Sequence, residues 1–330
     1  MRNRTVVLLV AVILGPFYYS SFAAITTRER AHSYPQQPVR MLVGFSAGGA
    51  TDVQARILAD KLTKRWGVSV VVENKPGATG SIAMGNLLQA KPDGYTVAVV
   101  SGGAMTISPL LRKVGYDPLT DFEPVTMVAE NDVAVVTGIN SKYTDFNSLL
   151  SNAKDGSSKI FFGSSGAGGL GHLAGERFNK TFSTHLSHVP YRGDSAMVVD
   201  VMSGNVDIGF PVIPSIAELV KSGKLKLLAT LGKNRAVDFP DIPSASELTD
   251  QDIGVTSWIG VFVPKGTPPD VVDTFYKAAK EVMTQPDVVQ DFKTQGSRVV
   301  ASDPRNFRDF LKEDYDRNIK LIRDVQISLE

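Results

Sequence analysis

Val39-Arg-Met-Leu-Val-Gly-Phe45, Ser46-Ala-Gly-Gly49 and the run from Asp52 to Trp66 decide the fold class. The first piece is a short apolar strand and the second a glycine loop. The third is an amphipathic helix with Ile57, Leu58, Leu62 and Trp66 on one face. Thr51, with Gln54 three residues on, has the spacing of a capping box. Strand, glycine loop and helix together form the repeating unit of an α/β layer. The unit recurs at once. Val68 to Val72 is a strand, Glu73 to Gly80 a loop and Ser81 to Ala90 a helix. Pro92-Asp-Gly94 is turn chemistry, and Tyr95 to Val100 is a third strand ending in Ser101-Gly-Gly103.

The second half repeats the theme. Lys159 to Gly163 is a strand, Ser164 to Gly171 a glycine-rich loop, and His172 to Asn179 begins a helix. The strands His188 to Tyr191 and Val206 to Phe210 flank a helix from Ser195 to Ser203, and Leu225 to Thr230 is a further strand. Trp258 to Pro264 returns the chain to the first domain. Pro268 opens a helix through about Gln285, and Pro304 opens another through about Val325. The expectation is two α/β domains around largely parallel sheets. Residues 34–135 and 258–330 form domain 1, and residues 136–257 form domain 2. The chain crosses between them near Val133 to Val136 and near Trp258. Two crossings make a hinge that opens and closes a cleft.

The totals narrow the function classes. A chain of 330 residues with 43% hydrophobic content fits two ordinary domains with real cores. A net charge of +1 gives no basic excess for nucleic acid. There is no cysteine, so disulfides, thiol catalysis, zinc–thiolate sites and iron–sulfur clusters are excluded. Residues 1–23 read as a signal peptide. Arg2 and Arg4 precede the uncharged run Thr5 to Leu14, Gly15 and Pro16 break it, and Ser21-Phe-Ala23 sets cleavage after Ala23. That apolar run is too short for a spanning helix, which needs about 20 residues. A secreted, periplasmic protein is expected.

Five loops follow strand ends and are rich in Gly, Ser and Thr: Ser46–Gly49, Pro76–Gly80, Ser101–Gly103, Ser164–Gly171 and Tyr191–Ser195. Ligands of open α/β sheets sit beyond the carboxyl ends of strands. Glycine there lets backbone approach a ligand, and free N–H groups at the next helix start favour an anion. These loops therefore suit a small anion held by backbone N–H groups and short hydroxyls. Each glycine also serves a tight turn, and Asp52 and Asp207 suit a cap or turn role as well as orienting loop N–H groups.

Together these segments resemble the receptors of tripartite tricarboxylate transporters, the Bug family. The resemblance rests on Tyr34-Pro-Gln-Gln-Pro-Val-Arg40, Gly44-Phe-Ser-Ala-Gly-Gly-Ala-Thr-Asp52, Val72-Glu-Asn-Lys-Pro-Gly-Ala-Thr-Gly80 and Lys91-Pro-Asp-Gly-Tyr95. It continues through Gly163-Ser-Ser-Gly-Ala-Gly-Gly-Leu-Gly-His-Leu173, His188-Val-Pro-Tyr-Arg-Gly193, Ser203-Gly-Asn-Val-Asp207 and Trp258 to Pro264. It implies a type II periplasmic-binding-protein-like fold with the ligand in the cleft between two α/β domains. It places the grip on one carboxylate at Ser46, Ala47, Gly48, Gly49 and Asp52, with Thr79, Ser101 and Gly102 as further wall. From the opposing domain it brings Ser164, Ser165, Gly168, Gly169, His172, Tyr191, Arg192 and Asp207. Ser46 stands where proline is expected in many relatives. The partners implied are a small carboxylate and the membrane subunits of a transporter. A monomer with no cofactor or metal is expected.

Sharper alternatives are weighed on their residues. Gly166-Ala-Gly-Gly-Leu-Gly171 matches a dinucleotide fingerprint, yet no acid closes the following strand. Gly163-Ser-Ser-Gly-Ala167 resembles a hydrolase elbow but has Ala167 at the second glycine position, and no histidine follows His188. His172 fits a cap or packing role beside its loop. His185 and His188 lack a third metal ligand and suit the surface or a strand edge. Arg192 suits a two-bond grip on a carboxylate or a surface ion pair. Tyr191 suits core packing or stacking on a ligand, while Trp66 and Trp258 suit packing. A secreted hydrolase is the enzyme alternative, and a protein that feeds a sensor is the other binding alternative. Dicarboxylic, acidic amino, citrate-like and aromatic acids all stay open as ligands.

Overall fold

The computed structural model describes residues 34–251 and 253–325. The expected signal peptide and its cleavage site lie outside the described residues. The strands are β1 (Val39–Val43), β2 (Val70–Asn74), β3 (Thr96–Ser101), β4 (Phe122–Asp132), β5 (Ala134–Gly138), β6 (Phe161–Ser164), β7 (Ser187–Pro190), β8 (Ile208–Gly209), β9 (Leu225–Thr230), β10 (Thr256–Pro264) and β11 (Ser297–Val299). The helices are α1 (Ala50–Trp66), α2 (Ser81–Leu88), α3 (Ser108–Leu111), α4 (Phe146–Asp155), α5 (Leu170–Phe182), α6 (Asp194–Ser203), α7 (Ala217–Lys221), α8 (Ala245–Thr249), α9 (Pro269–Met283), α10 (Pro286–Thr294) and α11 (Pro304–Val325).

Two sheets result, in the orders β11-β4-β10-β3-β1-β2 and β7-β6-β8-β5-β9. Each is the centre of one lobe. They are mixed rather than largely parallel. β1 pairs in parallel with β2 and β3, and β6 with β7 and β8. Every antiparallel pair involves a crossing strand or its return: β4 with β10 and β11, β10 with β3, and β5 with β8 and β9. A strand that leaves for the other lobe is met by the chain coming back beside it, which forces the antiparallel pairing.

The first crossing is abrupt, with only Val133 between β4 and β5. The second enters β10 at Thr256, directly opposite Asp132 of β4, so both crossings lie side by side. All of β5 is buried, and successive side chains face two different cores with the period of a strand. Val135 packs into a core with Phe146, Phe162 and Phe178, while Ala134 and Val136 face a second core with Met197, Val198 and Val201. The first lobe packs Leu42, Met84, Ala98, Phe262 and Phe307 together. β1 is buried at Val39, Met41, Leu42 and Val43, as a strand covered on both faces must be.

α1 starts two residues earlier than expected, and Thr51 and Gln54 form no capping box. Its N-cap is Gly49, with no side-chain cap bond. Gln54 is fully buried and donates instead to Asn131 Oδ1 and Ser297 Oγ at 3.2 and 2.7 Å. The helix ends at Gly67 in the left-handed region, whose N–H returns to Thr63 O. Trp66 packs edge-on against Phe275 at 5.3 Å, in keeping with a helix-face role.

Candidate ligand cleft

Loops after β1, β2, β3, β6, β7 and β8 line one cleft of about 870 Å³. α1, α2, α5 and α6 all begin at or beside it. Their N-caps are Gly49, Gly80, Gly169 and Gly193, and none carries a side-chain cap bond. By contrast α4, which starts away from the cleft, is capped by Asp145 in a capping box. The first N–H groups of an uncapped helix carry the positive end of the helix dipole and lack an internal partner, except that Ser81 N–H of α2 bonds back to Ala78 O. From both lobes the cleft therefore presents donors and partial positive charge.

Close backbone contact shapes the first-lobe wall. A Cβ on Gly44 would sit 2.8 Å from Gly80 Cα, so these two loops approach this closely only because residue 44 is glycine. Ala78 and Thr79 hold positive φ of 45° and 57°, a conformation that non-glycine residues rarely adopt. Beneath the first loop Asp52 is almost fully buried and accepts from Gly48 N–H at 2.9 Å, Asn74 Nδ2 at 2.7 Å and Arg56 Nε at 2.9 Å. Burial pushes this carboxyl up, but those bonds outweigh it and hold it below the usual carboxylate range. Asp52 is thus no cap; it orients the Gly48 N–H.

Ser46, Ala47, Gly49, Thr79, Ser101, Gly102, Ser165, Tyr191 and Arg192 line the cleft. Gly48, Asp52, Gly168, Gly169 and His172 belong to the same loops and helix starts without lining the cleft, with Gly168 N–H donating to His172 Nδ1 at 3.1 Å. Asp207 is not brought there. It precedes β8 at the opposite end of the second sheet, where its carboxylate accepts from Phe161 N–H. Tyr191 reaches past the core to donate its hydroxyl to Asp200 at 2.7 Å. Trp258 both lines the cleft and packs edge-on against Phe307 and Phe310.

Ser164 is fully buried, with Oγ 2.7 Å from His188 Nε2. His188 lies on β7, the edge strand of the second sheet, as expected, and is half-buried there by stacking on His172 at 3.8 Å. Burial lowers His172 to about 4, and burial with the neighbouring imidazole lowers His188 to about 3. A sealed hydroxyl beside so weak a base cannot act as a nucleophile toward a solute in the cleft.

Several wall residues escaped the sequence reading. Arg112 Nη2 donates across the cleft to Ala167 O at 2.5 Å. Asp314 Oδ2 accepts from Thr106 Oγ1 and Trp258 Nε1 at 2.7 and 2.9 Å, and Asn318 joins the same group. The signal for Asp314 and Asn318 was available, because they continue the buried stripe Phe307, Leu311 of α11 at helical spacing. Asp194 lies within a loop the sequence singled out, but its own role was not.

The sequence profile described as the tripartite tricarboxylate transporter family receptor matches residues 54–327. The chain belongs to this receptor family. It is similar to protein BugT of Bordetella pertussis, 31% identical over 93% of this chain and 95% of BugT. Among solved structures it resembles an R. palustris protein solved with adipate, with a TM-score of 0.86 and 26% identity over 90% of this chain and 99% of that one. It also resembles MatC of Rhodopseudomonas palustris with bound malate, with a TM-score of 0.81 and 25% identity over 88% of this chain and all of MatC. As a member of the tripartite tricarboxylate transporter receptor family it is a solute-binding protein and not an enzyme.

Proposed function

We propose that this receptor captures a small carboxylate in its cleft, closes its two lobes over it and delivers it to the membrane subunits of a tripartite tricarboxylate transporter. The carrying observation is the set of four uncapped helix starts, two from each lobe, that border the cleft. Such termini bind an anion without any charged side chain. The gripping groups are the N–H groups and hydroxyls around Ser46, Ala47, Gly49, Thr79, Ser101, Gly102 and Ser165, with Gly48 and Asp52, Ser164, Gly168, Gly169 and His172 holding the loops in place. The adipate and malate in the two relatives support the ligand class.

Closure turns residues 34–135 and 258–330 against 136–257 about the paired crossings at Asp132 and Thr256. A ligand shifts that equilibrium only by binding the two forms unequally, and contacts from both lobes supply the difference. The receptor works as a periplasmic monomer after cleavage behind Ala23.

The test is a thermal-shift screen of residues 24–330, unfolded and refolded to strip carried ligand. Aliphatic, amino-acid, citrate-like and aromatic carboxylates are compared with sugars and neutral amides. A ligand at ~100 times its Kd stabilises by about 2.7 kcal/mol, which raises Tm by a few degrees. A shift confined to carboxylates is expected. Shifts with neutral sugars alone would overturn the reading.

A further inference from the structure

Asp194 is the first residue of α6 and lines the cleft. It does not cap its own helix. Its Oδ2 accepts from Val212 N–H at 3.3 Å, while Oδ1 is sealed from solvent and accepts no hydrogen bond. Beside it stand the hydroxyls of Ser165 and Ser215, and among the described residues no cation, Arg192 of the same loop included, pairs with it. Burial raises this carboxyl above the usual range, and the two hydroxyls and the Val212 N–H counter that only in part. The other acid of the wall, Asp314, is satisfied by Arg317, Thr106 and Trp258. Arg112 is turned to Ala167 O. Asp194 is therefore the one acid of the described cleft wall without a partner charge.

A buried carboxylate with no counter-charge destabilises the empty protein. It is also out of place in a wall otherwise arranged for an anion, because it repels a second negative group brought near it. A ligand that carries its own cation removes both difficulties. We propose that Asp194 pairs with a protonated amine of the ligand, so that the preferred solutes are amino carboxylates. The carboxylate then occupies the helix starts and the ammonium meets Asp194, with Ser165 and Ser215 sharing its remaining protons. This inference rests on the carboxylate reading above and names the class within it.

The test uses matched pairs that differ only in the amine: glutamate against glutarate, aspartate against succinate, and 4-aminobutyrate against butyrate. Binding to stripped residues 24–330 is measured by calorimetry for the unaltered protein and for Asp194→Asn. In at least one pair the amino member is expected to bind tenfold tighter or more, with that preference lost in Asp194→Asn. The empty Asp194→Asn protein is expected to melt a few degrees higher, because the uncompensated charge is gone. Tighter binding of the plain diacids, as a protonated Asp194 donating to a second carboxylate would produce, overturns the proposal and leaves the carboxylate reading standing. So does an amino preference that survives in Asp194→Asn. No binding in any pair overturns the proposal, and failure of the wider carboxylate screen is what overturns the function. If Asp194→Asn does not fold, the pairs on the unaltered protein decide alone.

Discussion

The Asp314 carboxylate ties three distant parts of the chain together. Thr106 and Trp258 donate to Oδ2, Asn318 adds a third bond, and Arg317 pairs with Oδ1. Replacing it with alanine strands the Trp258 indole N–H in a buried site, while the Thr106 hydroxyl keeps Gly102 O as an acceptor at 3.0 Å. An unsatisfied buried group costs about 1–3 kcal/mol, so Asp314→Ala should lose roughly 2 kcal/mol of stability in urea unfolding. Asp314→Asn keeps the shape and an acceptor and should lose less. Equal stability in all three proteins would show that the network adds nothing. The sequence revealed that polar residues interrupt the apolar stripe of α11, but not what they meet, because Thr106 lies 208 positions away. Asp52 teaches the same lesson. Its place near a helix start suited a cap or an orienter of loop N–H groups, and the distant partner Asn74 with Arg56 settles it as a support for the Gly48 N–H.

At the level of elements, α5 and β7 are joined by the stacked rings of His172 and His188, and Phe162 of β6 lies against the second ring at 4.9 Å. Both imidazoles have folded-state values depressed from an ordinary 6.5, to about 4 and about 3. The unfolded chain therefore takes up these protons first. Their contribution is fully present above about pH 6.5 and is lost as pH falls toward 4 and 3. Asp132 acts in the opposite direction. Burial raises it to about 6, so its contribution is present below its unfolded value and lost as pH rises through 6. The net curve hides both terms, and a difference isolates one. Urea unfolding at pH 7, 6, 5 and 4.5 should show that His188→Phe, which keeps a ring in the stack, loses less stability on acidification than the unaltered protein. Parallel curves would remove the histidines from the pH response. Elements built on local signals were legible in advance: the helices opened by Pro268 and Pro304, the strand Val39 to Val43, and the glycine loops. Those without such signals were not, among them β4, β11 and α4, the last despite its Asp145–Ser148 capping box. The parallel expectation failed because strand direction at the crossings is set by how two lobes exchange chain, which no local pattern encodes.

Over the whole molecule, three cations, one from the first lobe and two from the second, donate to backbone carbonyls of the opposite lobe. Arg112 reaches Ala167 O, Lys221 reaches Thr294 O and Lys180 reaches Asp324 O. The proposed hinge at Asp132 and Thr256 could not open without breaking them. Charge-assisted bonds of this kind exist only while the lobes are together, so they set how much of the ligand-free protein is closed. Apparent affinity scales with the population of the competent state. Arg112→Ala should therefore enlarge the radius of gyration of ligand-free protein in small-angle scattering. It should also weaken binding of the best carboxylate by about tenfold, the equivalent of ~1.4 kcal/mol. The two readouts separate latch from ligand contact. An Arg112 that only grips the solute would leave the ligand-free scattering unchanged while affinity falls. If neither quantity moves, closure is governed by the ligand and the hinge alone. Lys221→Ala removes a tie remote from the cleft wall and should change scattering in the same direction, so the pair of variants tests the latch without touching the solute.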